Sequence, residues 1–386
     1  MLALLGVAVF AGITTELLPI GLLPAIAADL RVSTARVGVL VSAYAVVVAV
    51  GSIPLTALMM RWPRRRVLCV LLTMYAVSNA IVSGTSSYAI ALAARLLAGV
   101  AHAGLFSVVF TLAVTAVRPE QAGRAMAYVG AGNSLALSAG VPLATALGTA
   151  VGWRAAFAVA SGVLVTLAVA AVVVLPEAPA PRASAPPRVL AVLRRPALAT
   201  VAITIVVLML GHYTAYTYVS PLLLNAGVST RAVSGAFFAY GAAGAIGLFA
   251  AGFFADRRLR PALIGAVALT ASALVAFGLA RPSPWGAVAA LVVWGAAFGS
   301  LPTLLQTAAL RATPDTPDVA PSVVNAAWNV GIAGGGILGA REILSFAPAT
   351  LTYTGAALAA VALVVLLSPV RHASQGAAVN PAARTT

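Results

Sequence analysis

"VSTARVGVLVSAYAVVVAVGSIPLTALMMRWPRRR" (residues 32–66) sets an apolar run, 37–60, between a hydroxyl-rich turn and a cluster of four arginines. At 1.5 Å of rise per residue such a run spans the roughly 30 Å of a bilayer's hydrocarbon. Sliding the sequence by 196 residues brings the same pattern back. "VSTARV" (32–37) lies over "VSTRAV" (228–233), Ala43 and Tyr44 over Ala239 and Tyr240, Gly51 over Gly247, and Arg61 and Arg64 over Arg257 and Arg260. All these matches share one register across a predicted helix and its loop. Two copies in one orientation need an even number of spans between them, the parallel repeat of a transporter whose site lies between two bundles.

The rest of the chain agrees. Of 386 residues 62% are hydrophobic and 8% charged, against roughly 45–50% and 25% in soluble domains. Apolar runs fall near 2–26, 37–60, 67–84, 88–117, 125–150 and 154–175, then near 197–222, 232–255, 262–280, 285–310, 319–345 and 349–368. The expected fold is therefore all-α and membrane-embedded: twelve transmembrane helices as two parallel six-helix repeats. "PEAPAPRASAPPRVLAVLRRP" (176–196) reads as a polar linker between a bundle at 1–175 and one at 197–370, and 371–386 as a tail. "PAIAA" (24–28) has the look of a signal-peptidase site, but without a basic lead and a shorter apolar core, residues 2–26 read as a retained helix.

Several chemistries drop out. The single Cys69 closes no intrachain disulfide, and His102, His212 and His372 are scattered, so no metal site or cofactor is expected. The net charge of +15 sits in short clusters between apolar runs, which fits topology and not nucleic acid. All 23 basic residues are arginine, which excludes a Walker phosphate loop and a lysine Schiff base within this chain. "GGGILG" (334–339) formally fits a dinucleotide fingerprint, yet it lies inside a predicted span with no strand before it. With the N-terminus inside, 16 arginines fall on the cytoplasmic side, six near the outer face and one, Arg95, within a span. Both ends are then cytoplasmic, in an inner-membrane protein.

Several segments resemble the major facilitator superfamily, in particular its twelve-helix drug:proton antiporters and arabinose-efflux-like permeases. "GFFADRRLRP" (252–261) is similar to that family's G-x-x-x-D-R loop motif through Gly252, Asp256 and Arg257. Its first-half counterpart keeps Arg61 but carries Met60 where the acid belongs. "ARLLAGVAHAG" (94–104) resembles R-x-x-x-G through Arg95 and Gly99. "GNSLALSAGVPLATALG" (132–148) resembles the antiporter signature through Gly132, Gly140, Pro142 and Gly148, with a valine between Gly140 and the proline. "GWRAAF" (152–157) and "NAAWNVGIAGGGILG" (325–339) follow the same subfamily pattern. The resemblance implies an exporter that exchanges protons for a small molecule, functions as a monomer, and uses Asp256 and Arg257 to hold a cytoplasmic gate. Glycine and proline in the fifth span imply close helix contact and a local distortion on physical grounds alone.

Charges inside the apolar runs point to the site. Counted from the outer helix ends, Glu16 lies about 18 Å deep, His102 about 21 Å and Arg95 about 10 Å. A charge near the bilayer centre costs at least roughly 2.5–3.5 kcal/mol, so such residues normally face a cavity or a partner. Glu16 is the expected proton site, with Arg95 and His102 as its partners. His212, Tyr213 and Tyr216 in span 7, Trp294 and Gln306 in span 10, and Asn325, Trp328 and Asn329 in span 11 are candidates to line the substrate cavity. A mostly apolar pocket with few polar groups suits a drug-like compound, sugar or nucleoside. The alternatives are an importer or facilitator on the same scaffold and, outside transport, a multi-span membrane enzyme or sensor.

Overall fold

The computed structural model describes residues 1–59, 62–118, 121–176, 195–280, 282–313 and 319–368. Arg61, most of the linker and the tail lie outside these residues, as do the side chains of Asp256 and Arg257. Twelve helices are long and apolar enough to cross a membrane. They run Leu2–Gly21, Thr34–Met59, Arg64–Gly84, Tyr88–Thr115, Ala122 through Val151, and Trp153–Val174 as spans 1 to 6. Spans 7 to 12 are Pro196–Tyr216, Thr230–Arg257, Leu259–Leu279, Pro284–Ala312, Val319–Ser345 and Thr350–Leu367. No strand occurs among the described residues.

Local chemistry explains where the helices depart from regularity. The run expected as one helix over 2–26 is broken at Leu22, beyond which a short helix, Leu23–Asp29, begins with Pro24 in its first turn, where a missing N–H does no harm. Span 7 shows the same break, followed by the short helix Val219–Asn225, 196 residues after its counterpart. Span 5 carries the distortion expected there as a π-turn over Ala136–Gly140, ending two residues before Pro142, which has no N–H to continue an α-turn.

Packing repeats as well. Span 1 lies on spans 5 and 6, span 2 on span 4, and span 3 on spans 4 and 6; spans 7, 8 and 9 meet spans 11 and 12, 10, and 10 and 12 in the same pattern. The halves join through span 2 with span 11 and span 5 with span 8. At the face opposite the N-terminus Ser220 Oγ donates to the carbonyls of Ile20 and Gly21 at 2.9 and 3.1 Å. Nearby, Tyr218 Oη donates to the Gly336 carbonyl at 3.1 Å. Phe249, Val173 and Trp285 are exposed, as a surface turned to lipid requires.

Candidate functional site

In span 1, Pro19 sits inside the helix and offers no N–H to the carbonyl of Thr15, four residues back. Span 4 supplies the missing donor. Arg95 Nη1 donates to the Thr15 carbonyl at 2.9 Å and Nη2 to the Glu16 carbonyl at 2.8 Å, with the guanidinium 4.5 Å above the Tyr44 ring. The cation is therefore anchored on backbone oxygens that "TTELLP" presents, not on the Glu16 carboxylate. Arg95 is 1% exposed, and its Nε has no hydrogen-bond partner.

The Glu16 side chain faces His102 instead, Oε2 lying 3.8 Å from His102 Nε2. The other imidazole nitrogen, Nδ1, is 2.7 Å from Tyr44 Oη and 2.6 Å from Tyr75 Oη, and the two hydroxyls are 2.7 Å apart. The three atoms close a triangle in which each phenol can donate or accept, and Nδ1 donates or accepts according to the His102 tautomer. With Nδ1 as acceptor, the imidazole proton sits on Nε2, on the Glu16 side. The result is a buried chain of groups that can each hold or pass a proton: carboxyl, imidazole, two phenols. Glu16, Arg95 and His102, expected from the sequence, are thus brought together; the two tyrosines were missed. Tyr44 was legible only as part of the repeat, and Tyr75 as a midspan hydroxyl in a helix carrying no charge beyond its first turn.

Gly99 explains how span 2 comes so close. A Cβ there would stand 2.8 Å from the Tyr44 carbonyl, so only glycine lets Tyr44 reach His102. The antiporter-type glycines of span 5 do the same for span 1: Gly132, Gly140 and Gly148 lie against Gly6, against Thr14 with Phe10, and against Leu22. Pro142 is buried on the same helix. Gly252 of the loop motif has open space around it.

In the second half His212, Tyr213, Tyr216 and Trp294 also gather. Trp294 Nε1 donates to His212 Nδ1 at 3.1 Å. His212 stacks on Phe298 (centroids 3.6 Å, planes 10° apart) and on Tyr216 (5.0 Å, 24°), and Tyr240 packs on Tyr216 and Trp294. Trp328 touches Phe298 from span 11. The remaining candidates do not hydrogen-bond to this cluster. Asn329 Nδ2 turns back to the Asn325 carbonyl at 3.0 Å, while Asn329 Oδ1 and Gln306 Nε2 have no partner.

The 196-residue offset now acquires chemical content. Tyr240 stands where Tyr44 does, Phe298 where His102 does, and His212 where Glu16 does. Gly295 stands where Gly99 does, its Cβ position 2.3 Å from the Tyr240 carbonyl.

Twelve helices in two parallel repeats, with a polar cluster buried in each half, define the fold, and the family it belongs to makes this a membrane transporter and not an enzyme. The chain belongs to the Major Facilitator Superfamily, whose family model matches residues 3–340. It is 35% identical to two chloramphenicol efflux pumps of Mycobacterium tuberculosis, from strains CDC 1551 / Oshkosh and H37Rv, covering 88% of this chain and 84% of each relative. The fold is similar to a bacterial homologue of the human lysosomal transporter Spinster in its inward-facing, occupied form (TM-score 0.76, 14% identity, 95% of this chain and 93% of that one). It is also similar to the human organic anion transporter MFSD10 (TM-score 0.68, 20% identity, 95% and 98%).

Proposed function

We propose that this transporter exchanges protons for a neutral drug-like molecule, chloramphenicol being the first candidate, and exports it across the inner membrane. The N-terminal face is cytoplasmic in this reading. Bundles 1–175 and 197–370 rock about their seam, the linker 176–196 and the tail 371–386 stay inside, and a single chain suffices. The observation that carries the reading is Glu16, 4% exposed inside the spans and 3.8 Å from His102, in a chain related to drug efflux pumps. A carboxyl that meets one side of the membrane and then the other loads a proton outside and releases it inside. A proton entering through about 100 mV supplies roughly 2.3 kcal/mol, enough to move a neutral solute outward about fiftyfold, since each 1.4 kcal/mol is a factor of ten.

The test is uphill transport by the purified chain in proteoliposomes with an imposed proton gradient. Glu16→Gln keeps the shape and removes the titration, so it abolishes accumulation of chloramphenicol and leaves downhill exchange intact. Accumulation by the Gln variant equal to wild type overturns Glu16 as the coupling group. For the loop motif, Asp256→Asn impairs transport more than a change at Met60, because only Asp256 adds an acid that can pair with neighbouring arginines; equal transport at matched expression removes the gate role.

A further inference from the structure

The two halves share a backbone plan but differ in the chemistry at its centre. Where the first half has an acid, the second has His212; where the first has Arg95, the second has Leu291; where the first has His102, the second has Phe298. The second cluster thus has lost its charges and gained aromatic surface, while keeping unused donors. An indole N–H only donates, so Trp294 fixes His212 Nδ1 as the acceptor and leaves the imidazole proton on Nε2. His212 Nε2, Tyr216 Oη and Tyr240 Oη are all buried without a hydrogen-bond partner, and each such group carries a cost of about 1–3 kcal/mol. Three uncompensated donors among stacked rings are a poor way to pack a helix bundle. They are a good way to hold a ligand that brings both a ring and an acceptor.

The cluster also touches the seam between the halves. Tyr240 and Phe298 line a cavity of about 40 Å³ together with Asn133 and Leu137 of span 5. That space lies beside the ring already stacked on His212. A small shift of Phe298 into it would free the face of the imidazole.

We propose that this cluster is the substrate's aromatic subsite: the ring of a neutral, acceptor-bearing aromatic molecule stacks on His212 in the place of Phe298, and His212 Nε2 donates to it together with a tyrosine hydroxyl. The first half then carries the proton and the second the cargo, and a molecule seated there also meets span 5. The inference rests on the export reading for its choice of cargo, but binding is measurable without transport.

The experiment is equilibrium binding of radiolabelled chloramphenicol, the probe, to the purified full chain in lipid nanodiscs. Wild type is compared with His212→Gln and His212→Phe, each checked for a monodisperse profile. Phenylalanine keeps the stacked ring and removes the donor; glutamine keeps an N–H and removes the ring. Loss of one donor to a buried acceptor weakens binding about tenfold or more and loss of a stacked ring about two- to tenfold, so both variants bind more weakly than wild type and His212→Phe more weakly than His212→Gln. If the residue serves packing alone, the order reverses, with Phe equal to or better than Gln. That order, or the absence of binding to wild type, overturns the proposal. Binding by wild type without any export overturns the transport reading instead and leaves the order of the two variants to decide the subsite.

Discussion

Replacing Arg95 by leucine, the residue at the corresponding position 291, removes both donors from the carbonyls of Thr15 and Glu16. Inside the bilayer no water replaces them. A hydrogen bond from a charged donor is worth about 1.5–3 kcal/mol, and an orphaned buried acceptor costs about 1–3 kcal/mol. The variant also loses the stacking on Tyr44, about 0.5–2 kcal/mol, but gains relief from burying a cation, at least roughly 2.5–3.5 kcal/mol. Opposing terms of this size leave the single-variant stability uninformative; the coupling with Pro19 is informative. In a Pro19→Ala background the new N–H closes on the Thr15 carbonyl, and leucine at 95 then orphans one acceptor fewer. The two substitutions therefore couple by about 1–2 kcal/mol, the double variant being more stable than the sum of the singles predicts. The assay is equilibrium unfolding of the four proteins in mixed micelles with increasing SDS, followed by tryptophan fluorescence. Additivity within about 0.5 kcal/mol refutes the idea that Arg95 repairs the break made by Pro19.

Two further outcomes follow from contact geometry. Gly295→Ala drives a methyl to 2.3 Å from a backbone oxygen and costs about 1–3 kcal/mol in the same unfolding assay, while Gly162→Ala, whose methyl meets nothing within 4 Å, stays within about 0.5 kcal/mol of wild type. Asp29 pairs with Arg154 and accepts from Trp153 Nε1 at 2.8 Å, but the pair is partly exposed (36% for Arg154, 43% for Asp29). Asp29→Asn therefore costs no more than about 1 kcal/mol in thermal unfolding, the loss shrinks in 1 M salt, and proton-driven transport persists.

The membrane class and the span count were legible because hydrophobic length is a one-dimensional property of the chain. So was the repeat, because its register survives at helix starts: the short helices Leu23–Asp29 and Val219–Asn225 and the starts of spans 2 and 8, and of 4 and 10, are all 196 residues apart. The breaks in spans 1 and 7 were not read, since apolar residues continue through them and only backbone hydrogen bonding marks the stop. The site was legible in its charges and opaque in its partners. Glu16, Arg95 and His102 stand out against apolar neighbours, but which nitrogen faces which oxygen depends on how helices rotate. Arg95 shows the limit best: depth along the helix placed it near the acid, whereas the vacancy left by Pro19 decides that it bonds to carbonyls. Tyr44 and Tyr75, ordinary tyrosines in sequence, become part of the site only because Gly99 lets span 2 approach.

The anchoring of Arg95 bears on how an acid can work here at all. Were the guanidinium held by the Glu16 carboxylate, each protonation of the acid would release a buried cation and disturb the helix contact. Because it is held by two carbonyls and the Tyr44 ring, the positive charge stays in place whether or not Glu16 carries a proton. The second half supports this link between the three residues. Ala215 stands where Pro19 does, Leu291 where Arg95 does and His212 where Glu16 does, so the proline, the cation and the acid are absent together. On this argument Glu16 contributes to coupling and little to stability, its carboxylate facing His102 Nε2 at 3.8 Å, beyond hydrogen-bond distance. Glu16→Gln should therefore unfold within about 1 kcal/mol of wild type in the SDS titration while failing at uphill export. A Gln variant that lost several kcal/mol would show that the carboxylate, and not the carbonyl pair, holds spans 1 and 4 together, and the acid would then be structural.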